Sequence, residues 1–170
     1  NTLRKIDAEY GGAIETRYSS SLDLEEAVKQ ADLVIGAVLV PGAKAPTLVS
    51  NELVSQMKPG SVLVDISIDQ GGCFEDSRPT THADPVYKVH DSLMYCVANM
   101  PGAVPHTSTY ALTNVTLPYA MALADHGWRR ACADDRALGL GLNTVDGQLV
   151  CEPVAQAHGL PTVALGEVLR

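Results

Sequence analysis

An acidic residue, Asp69, stands where an apolar stretch ends and a pair of glycines follows. The stretch Ser61–Ile68 is predicted to form a strand, and the alternation of side chains places Asp65, Ser67 and Asp69 on one face. A carboxylate at a strand's end beside Gly71 has room for a ligand, where it can accept or donate a proton. The ordinary alternative is an Asp that forms a turn by bonding to nearby backbone amides. The pattern alone leaves both roles open.

Other chemistry-bearing residues also follow predicted strands. Val38-Leu39 can pack on a flat ring, and the loop after them contains glycine, which lets a ligand approach the backbone closely. Ser19 can bond an adenine or a ribose, but it fits equally well as a helix cap. Asn99 can bond a carboxamide or form a turn. Arg78 can pair with a phosphate or a carboxylate, although most isolated arginines are solvated.

The spacing of histidines and cysteines does not support a metal or redox centre. The chain has no HxH or HxxxH pair, no CxxC pair, no phosphate-binding P-loop and no GxSxG turn. Each cysteine is expected to be a small buried residue in a reducing cytosol. The histidines are His82, His90, His106, His126 and His158, and the cysteines are Cys73, Cys96, Cys132 and Cys151.

Composition excludes some classes of partner. The net charge of −8 argues against binding to a nucleic-acid backbone, which requires a clustered basic surface. No apolar stretch approaches the roughly 18 residues of a membrane span. With 46% hydrophobic residues in 170, the chain is predicted to pack a core and to be soluble.

The elements that must position these residues alternate between helix and strand. Helices are predicted over Asn1–Tyr10, from a cap at Ser20 or Ser21 to Ala31, and from a cap at Ser50 to Met57. Strands are predicted over Ala13–Tyr18, Leu33–Leu39 and Ser61–Ile68, with shorter ones at Val86–Val89 and Leu93–Val97. The uninterrupted apolar run at Leu33–Leu39 is typical of a strand covered on both faces. This order predicts an α/β fold with an incomplete, Rossmann-like, doubly wound parallel sheet.

After Pro101–Pro105 the pattern becomes mainly helical. A long helix over Thr107–Trp128, with a kink at Pro118, is predicted to be followed by a helix to Leu138. Asp146-Gly147 predicts a small hairpin, and short helices are predicted over Glu152–His158 and Leu165–Leu169. We therefore predict two parts, residues 1–105 for the sheet and residues 106–170 for the C-terminal helical segment.

Four strings carry a family resemblance. They are Ala31–Pro46, Val64–Glu75, Tyr95–Pro105 and Thr107–Asn114, within a region that runs from about Tyr18 to Trp128. Each closely resembles a segment of the alanine dehydrogenases, a family related to the alpha subunit of the NAD(P) transhydrogenases. The transhydrogenases share parts of these strings, but the run Cys96–Pro101 is more similar to alanine dehydrogenase.

The resemblance implies an NAD-dependent enzyme that reversibly deaminates L-alanine to pyruvate and ammonia. Asp69 matches a family aspartate assigned to proton transfer, and it also matches a residue that contacts NAD. His126 matches a residue that helps hold magnesium in some members. The other positions that match contacts to NAD are Ser19, Val38, Leu39, Ile66, Ser67, Ile68, Arg78, Val97, Ala98, Asn99 and Met100.

The resemblance also has gaps. In the family, the Gly-rich turn, the ribose-binding Asp, the substrate-binding Arg and Lys and the catalytic His all precede the position of Asn1. Thr2 stands where some members have a lysine that contacts the cofactor. The expectation is therefore a chain that begins inside the Rossmann domain, with residues 106–170 completing the substrate domain of a cytoplasmic homohexamer. The alternative is a non-catalytic nucleotide-binding or assembly fragment related to the transhydrogenase alpha subunit.

Overall fold

The computed structural model describes residues 2–169, which divide into two compact units. One unit contains the described chain up to Val38 together with Pro46–Ala98. The other contains Leu39–Ala45 and the described chain from Asn99 onward.

The first unit is built around a four-stranded sheet. Its strand order is β1-β2-β4-β3, in which β1–β2 and β2–β4 are parallel and β3–β4 are antiparallel. The predicted α/β fold with a Rossmann-like, mainly parallel sheet is therefore confirmed. The strands are β1 (Leu33–Gly36), β2 (Val62–Asp65), β3 (Val86–Val89) and β4 (Ser92–Tyr95), and the helices are α1 (Thr2–Tyr10), α2 (Ser21–Gln30) and α3 (Asn51–Ser55).

Serine caps fix where two of these helices begin. The Ser20 hydroxyl accepts a 3.1 Å hydrogen bond from the Asp23 amide at the start of α2. The Ser50 hydroxyl accepts one of 3.2 Å from the Leu53 amide at the start of α3. Each cap satisfies an amide that has no partner inside its helix, as the sequence predicted. The helix predicted to start at Asn1 is α1; Asn1 itself lies outside the described residues.

One face of the sheet is covered and the other is open among residues 2–169. On the covered face, Leu63 and Met94 are fully buried, and Gly36 lies against Cys73 so closely that a β-carbon would come within 2.2 Å of the sulfur. On the open face, Leu33 and Ile35 are 54% and 57% exposed. The strand predicted at Leu33–Leu39 was expected to be buried on both faces, but within the described chain it is buried on one face only.

Two sequence-based expectations about strands are wrong. Residues 13–18 are irregular and form no strand. A strand needs a neighbouring strand to bond its amides and carbonyls, and in the described chain no strand pairs with this segment. The strand predicted over Ser61–Ile68 ends at Asp65, and a 3₁₀ turn over Ile68–Gln70 follows it.

The second unit is mainly helical. Its long helix breaks at Gly127, whose φ of 72° and ψ of 159° are non-helical, whereas Pro118 lies inside the helix. The predicted hairpin turn is confirmed, since Asp146 and Gly147 both adopt the positive φ that a tight hairpin requires. No helix in residues 2–169 is long and apolar enough to cross a membrane. The elements are α4 (Pro105–Asp134), α5 (Arg136–Leu140), β5 (Thr144–Val145), β6 (Gln148–Leu149), α6 (Glu152–His158) and α7 (Leu165–Val168).

Candidate functional site

The carboxyl ends of the parallel strands bring several predicted residues to one edge of the first unit. Val38 follows β1, the segment Ile66–Asp69 follows β2, and Val97-Ala98 follow β4. The Ile66 amide donates a 2.8 Å hydrogen bond to the Gly36 carbonyl, and the Ser67 hydroxyl donates one of 2.8 Å to the Val38 carbonyl. Open α/β sheets bind ligands at this edge.

Asp69 lies in the 3₁₀ turn that follows β2, and its side chain is exposed. No hydrogen bond or ion pair joins its carboxylate to another residue in the part of the chain that the structure describes. Asp65 and Ser67 are buried, whereas Asp69 is exposed. The strand ends before Asp69, so the alternation of side chains between faces does not extend to it. Asp69 is thus a solvent-facing carboxylate at the carboxyl edge of the sheet.

Asp65 has the local anchoring role that the sequence offered as the alternative for Asp69. Its side chain is completely buried at the end of β2. Oδ1 accepts a 2.9 Å hydrogen bond from the Ser67 amide, and Oδ2 accepts one of 2.8 Å from the Cys73 amide. The Ser77 hydroxyl also donates to Oδ2, and the Cys73 thiol lies 3.5 Å from Oδ1.

Cys73 is unsuited to act as a nucleophile. Burial, reinforced by the charge of Asp65 and the hydrogen bond to it, raises the pKa of the Cys73 thiol to about 11. Because only the thiolate is strongly nucleophilic, Cys73 stays protonated and inert near neutral pH. The expectation of small buried cysteines is confirmed for Cys73, Cys96 and Cys132, whereas Cys151 is partly exposed.

Arg78 is not a freely solvated side chain. Its guanidinium carbon lies 3.9 Å from the centre of the Tyr87 ring, in a cation–π contact. The Tyr87 hydroxyl accepts a 3.0 Å hydrogen bond from the Arg78 amide and donates one of 2.8 Å to the Asp76 carbonyl. Burial raises the pKa of the Tyr87 phenol. A tyrosine from β3 therefore fixes both the backbone and the side chain of Arg78.

Ser19 lines a polar groove of about 490 Å³ in the first unit. Ser20 and Ser50, which cap α2 and α3, also line this groove. Because Ser20 is the cap of α2, Ser19 does not have that role. Hydroxyls beside helix N-termini can hydrogen-bond the polar groups of a nucleotide.

An unpartnered polar atom lies next to Asp69 in sequence. The side-chain oxygen of Gln70 is buried and has no hydrogen-bond partner among residues 2–169. Leaving a buried acceptor unpaired costs about 1–3 kcal/mol, so a donor from outside these residues would stabilise the turn. Gln70 thus adds an acceptor, unpaired within the described chain, beside the exposed carboxylate of Asp69.

Three predicted cofactor contacts belong to the second unit. Leu39 is exposed, and Met100 begins the 3₁₀ turn Met100–Ala103. The Asn99 side chain accepts a 3.1 Å hydrogen bond from the Gly102 amide, which is the turn role that the sequence left open. Contact of these three residues with NAD stays a prediction.

The metal role of His126 stays a prediction, and the described residues offer it no cluster of further ligands. His126 is exposed on α4, and the described residues contain no group of three or more His, Cys, Asp or Glu side chains that could hold an ion. Magnesium also prefers oxygen ligands in octahedral geometry, to which a lone imidazole contributes little. No chemical step is assigned to a metal.

Two residues of the first unit, Asp65 and Tyr87, have no role predicted from the sequence, although the pattern places Asp65 on one strand face with Ser67. A signal for Asp65 was available, because an Asp side chain commonly accepts a hydrogen bond from the backbone amide two residues later, as Asp65 does from Ser67. Tyr87 offered no signal, since its contact with Arg78 spans nine residues and depends on the β3–β4 hairpin.

The sheet and its polar carboxyl edge define an α/β protein of the Rossmann type. The profile of the family described as "Alanine dehydrogenase/PNT, C-terminal domain" matches residues 1–152. The chain belongs to this family.

Similar proteins agree with this assignment. The chain is 71% identical over 161 residues to an alanine dehydrogenase of Mycolicibacterium smegmatis. This alignment covers 95% of the chain and 43% of that protein. A solved L-alanine dehydrogenase matches with a TM-score of 0.78 and 49% identity, over 92% of this chain and 43% of that one. A transhydrogenase from Sinorhizobium meliloti matches with a TM-score of 0.56 and 28% identity, over 69% of this chain and 34% of that one. The chain thus spans less than half the length of these relatives.

Proposed function

We propose that the intact protein containing this chain is an alanine dehydrogenase. In the proposed reaction, L-alanine, NAD and water give pyruvate, ammonium, NADH and a proton. The observation that carries the proposal is the exposed Asp69 carboxylate, unbonded in the described chain, at the carboxyl edge of a parallel sheet. The identity of 71% to an alanine dehydrogenase supports it.

Asp69 is proposed to move protons at the substrate carbon. NAD, when bound, supplies the hydride acceptor. The Asp69 carboxylate takes a proton from the water that replaces the amine, and it returns that proton to the departing nitrogen. A carboxylate with no competing partner among the described residues can contact the substrate without first breaking a hydrogen bond.

The cofactor is proposed to lie along the edge that carries Val38, Ile66, Ser67 and Ile68, with Val97 and Ala98 on the neighbouring strand. Ile66 is half exposed there and offers an apolar surface to a flat ring. Arg78, held on its tyrosine, offers a cation to a phosphate, and Ser19 offers a hydroxyl in its groove. Leu39, Asn99 and Met100 are proposed as further contacts from the family resemblance alone.

The finer properties are proposed on the same resemblance. Residues 1–105 are proposed as part of the NAD-binding domain, and residues 106–170 as the segment that completes the substrate domain. The protein is proposed to work in L-alanine catabolism as a cytoplasmic homohexamer. Light scattering coupled to gel filtration measures the assembly, and a molar mass other than six subunits contradicts it.

The activity is tested with the purified intact protein by following NADH absorbance after addition of L-alanine. NADH formation that depends on L-alanine, together with its reversal by pyruvate and ammonium, is expected. D-Alanine is the matched control, because it differs only in configuration. Absence of turnover, with NAD binding retained in a titration, favours the alternative of a non-catalytic nucleotide-binding or assembly fragment related to the transhydrogenase alpha subunit, which the 28% identity to a transhydrogenase supports.

A further inference from the structure

Asp65 is a buried carboxylate to which the proposed function assigns no role. It is 0% exposed, and it receives its hydrogen bonds from residues on both sides of the Asp69 turn. The Ser67 amide lies before the turn, whereas the Cys73 amide and the Ser77 hydroxyl lie after it. One side chain therefore joins the beginning and the end of the loop formed by residues 66–72.

The backbone of the loop is closed around this carboxylate. The Gly72 amide donates a 3.0 Å hydrogen bond to the Ser67 carbonyl, and Gly72 has a φ of 77°, a conformation that favours glycine. A β-carbon at Gly72 would lie 3.0 Å from Asp65 Oδ2 and 2.5 Å from the Ser77 β-carbon. The loop returns so tightly that only glycine fits between Asp65 and Ser77.

We infer that Asp65 is a positioning residue that holds the Asp69 carboxylate in its working place. Asp69 makes no hydrogen bond of its own within residues 2–169, so its location depends on the backbone of the loop. That backbone is fixed by the bonds to Asp65. A displacement of about 1 Å at a reacting group can cost about a hundredfold in rate. The inference rests on the proposed role of Asp69.

The simpler alternative is that Asp65 only stabilises the fold. The substitution Asp65→Asn separates the two roles. In the Asn side chain the oxygen only accepts and the NH₂ only donates, so the NH₂ must face either the Ser67 amide or the Cys73 amide, both of which are donors. The loop then has to shift, although the size of the side chain is unchanged.

The experiment compares four variants of the intact protein: D65N, D69N, the double variant, and L63A as a control. Leu63 is fully buried on the same strand and the same face, two residues before Asp65, and the hydrogen bonds to Asp65 come from other residues. L63A thus destabilises β2 without removing any of the hydrogen bonds to Asp65. Turnover, the KM for L-alanine and the Kd for NAD are measured where circular dichroism shows each variant to be folded.

D65N is expected to lower kcat at least tenfold, and L63A is expected to change kcat less than twofold. The double variant is expected to be no slower than D69N, because a residue that acts through Asp69 has nothing to position once that carboxylate is gone. A folded D65N with normal kcat overturns the inference. A double variant whose loss equals the product of the two single losses overturns it as well.

Normal turnover of D69N and misfolding of D65N also bear on the inference. If D69N keeps normal turnover, the proposed role of Asp69 is wrong, and the inference about Asp65 fails with it. That failure is seen in D69N, whereas failure of the inference alone is seen in D65N. If D65N does not fold, Ser77→Ala removes one donor and leaves the carboxylate in place. S77A is then expected to lower kcat at least threefold, and normal kcat in a folded S77A overturns the inference.

Discussion

The Ser67 hydroxyl donates a 2.8 Å hydrogen bond to the Val38 carbonyl, which ties together the chain segments that leave β2 and β1. The bond lies at the edge where parallel strands present their carboxyl ends, and both residues are proposed to contact NAD. It therefore sets the spacing of two segments between which a dinucleotide would have to fit.

Replacing Ser67 by Ala is expected to weaken NAD binding about three- to tenfold, which corresponds to a loss of about 1 kcal/mol. Titration of NAD by tryptophan or NADH fluorescence in the intact protein measures the change. Ser61→Ala is the matched control, because Ser61 is also buried and bonds the Ser92 hydroxyl at 2.7 Å, but at the opposite end of β2. Equal effects of S67A and S61A on NAD affinity would contradict this account.

Tyr87 is expected to support NAD binding through Arg78. Tyr87→Phe keeps the ring under the guanidinium and removes the hydroxyl, whereas Tyr87→Leu removes both. Because an exposed cation–π contact contributes about 0.5–1 kcal/mol, Y87L should weaken NAD binding about two- to fivefold more than Y87F does. An NAD affinity of Y87L equal to that of the parent, measured by the same titration, would show that the stack does not serve the cofactor.

The Cys73 thiol is expected to make stability fall at alkaline pH. Its pKa is about 11 in the folded chain against an ordinary value of 9.0, so the unfolded chain loses this proton first. The contribution is fully present below about pH 9 and is lost as the pH rises through about 11. Urea unfolding from about pH 8 to about pH 11 should show a steeper decline for the parent than for Cys73→Ala. Parallel curves would mean that the thiol is not shifted.

The 170-residue chain produced alone is expected not to oxidise alanine and to associate with itself. Leu33, Ile35 and Leu93 lie on the open face of its sheet, and an apolar face of this kind favours aggregation. Light scattering and binding of a hydrophobic dye measure the association, and NADH absorbance measures the activity. NADH formation from L-alanine by this chain would contradict the expectation.

The sequence predicted those parts of the fold that depend on local chemistry. The caps at Ser20 and Ser50 and the hairpin at Asp146 follow from hydrogen-bonding side chains and turn residues near in sequence, and the structure confirms them. The strand at residues 13–18 was predicted wrongly, because a strand depends on a partner that local pattern does not reveal.

The candidate site was predicted in part. The position of Asp69 at the carboxyl end of a parallel strand followed from the helix–strand order, and the parallel pairing of Ile35 with Val64 agrees with it. The sequence does not show that Asp65 is the buried residue that bonds nearby backbone amides while Asp69 is exposed. The alternation of side chains applies only within β2, which ends at Asp65 before the turn that contains Asp69. The stacking of Arg78 on Tyr87 arises from tertiary contacts and left no local pattern.

The central claim is that the Asp69 carboxylate performs proton transfer, and Asp69→Asn in the intact protein tests it most directly. The amide keeps the size of the side chain and removes its basicity. The account predicts that kcat for L-alanine falls about 10²- to 10⁴-fold while the Kd for NAD stays within about twofold. Unchanged turnover, or a loss of NAD affinity as large as the loss of turnover, would contradict it.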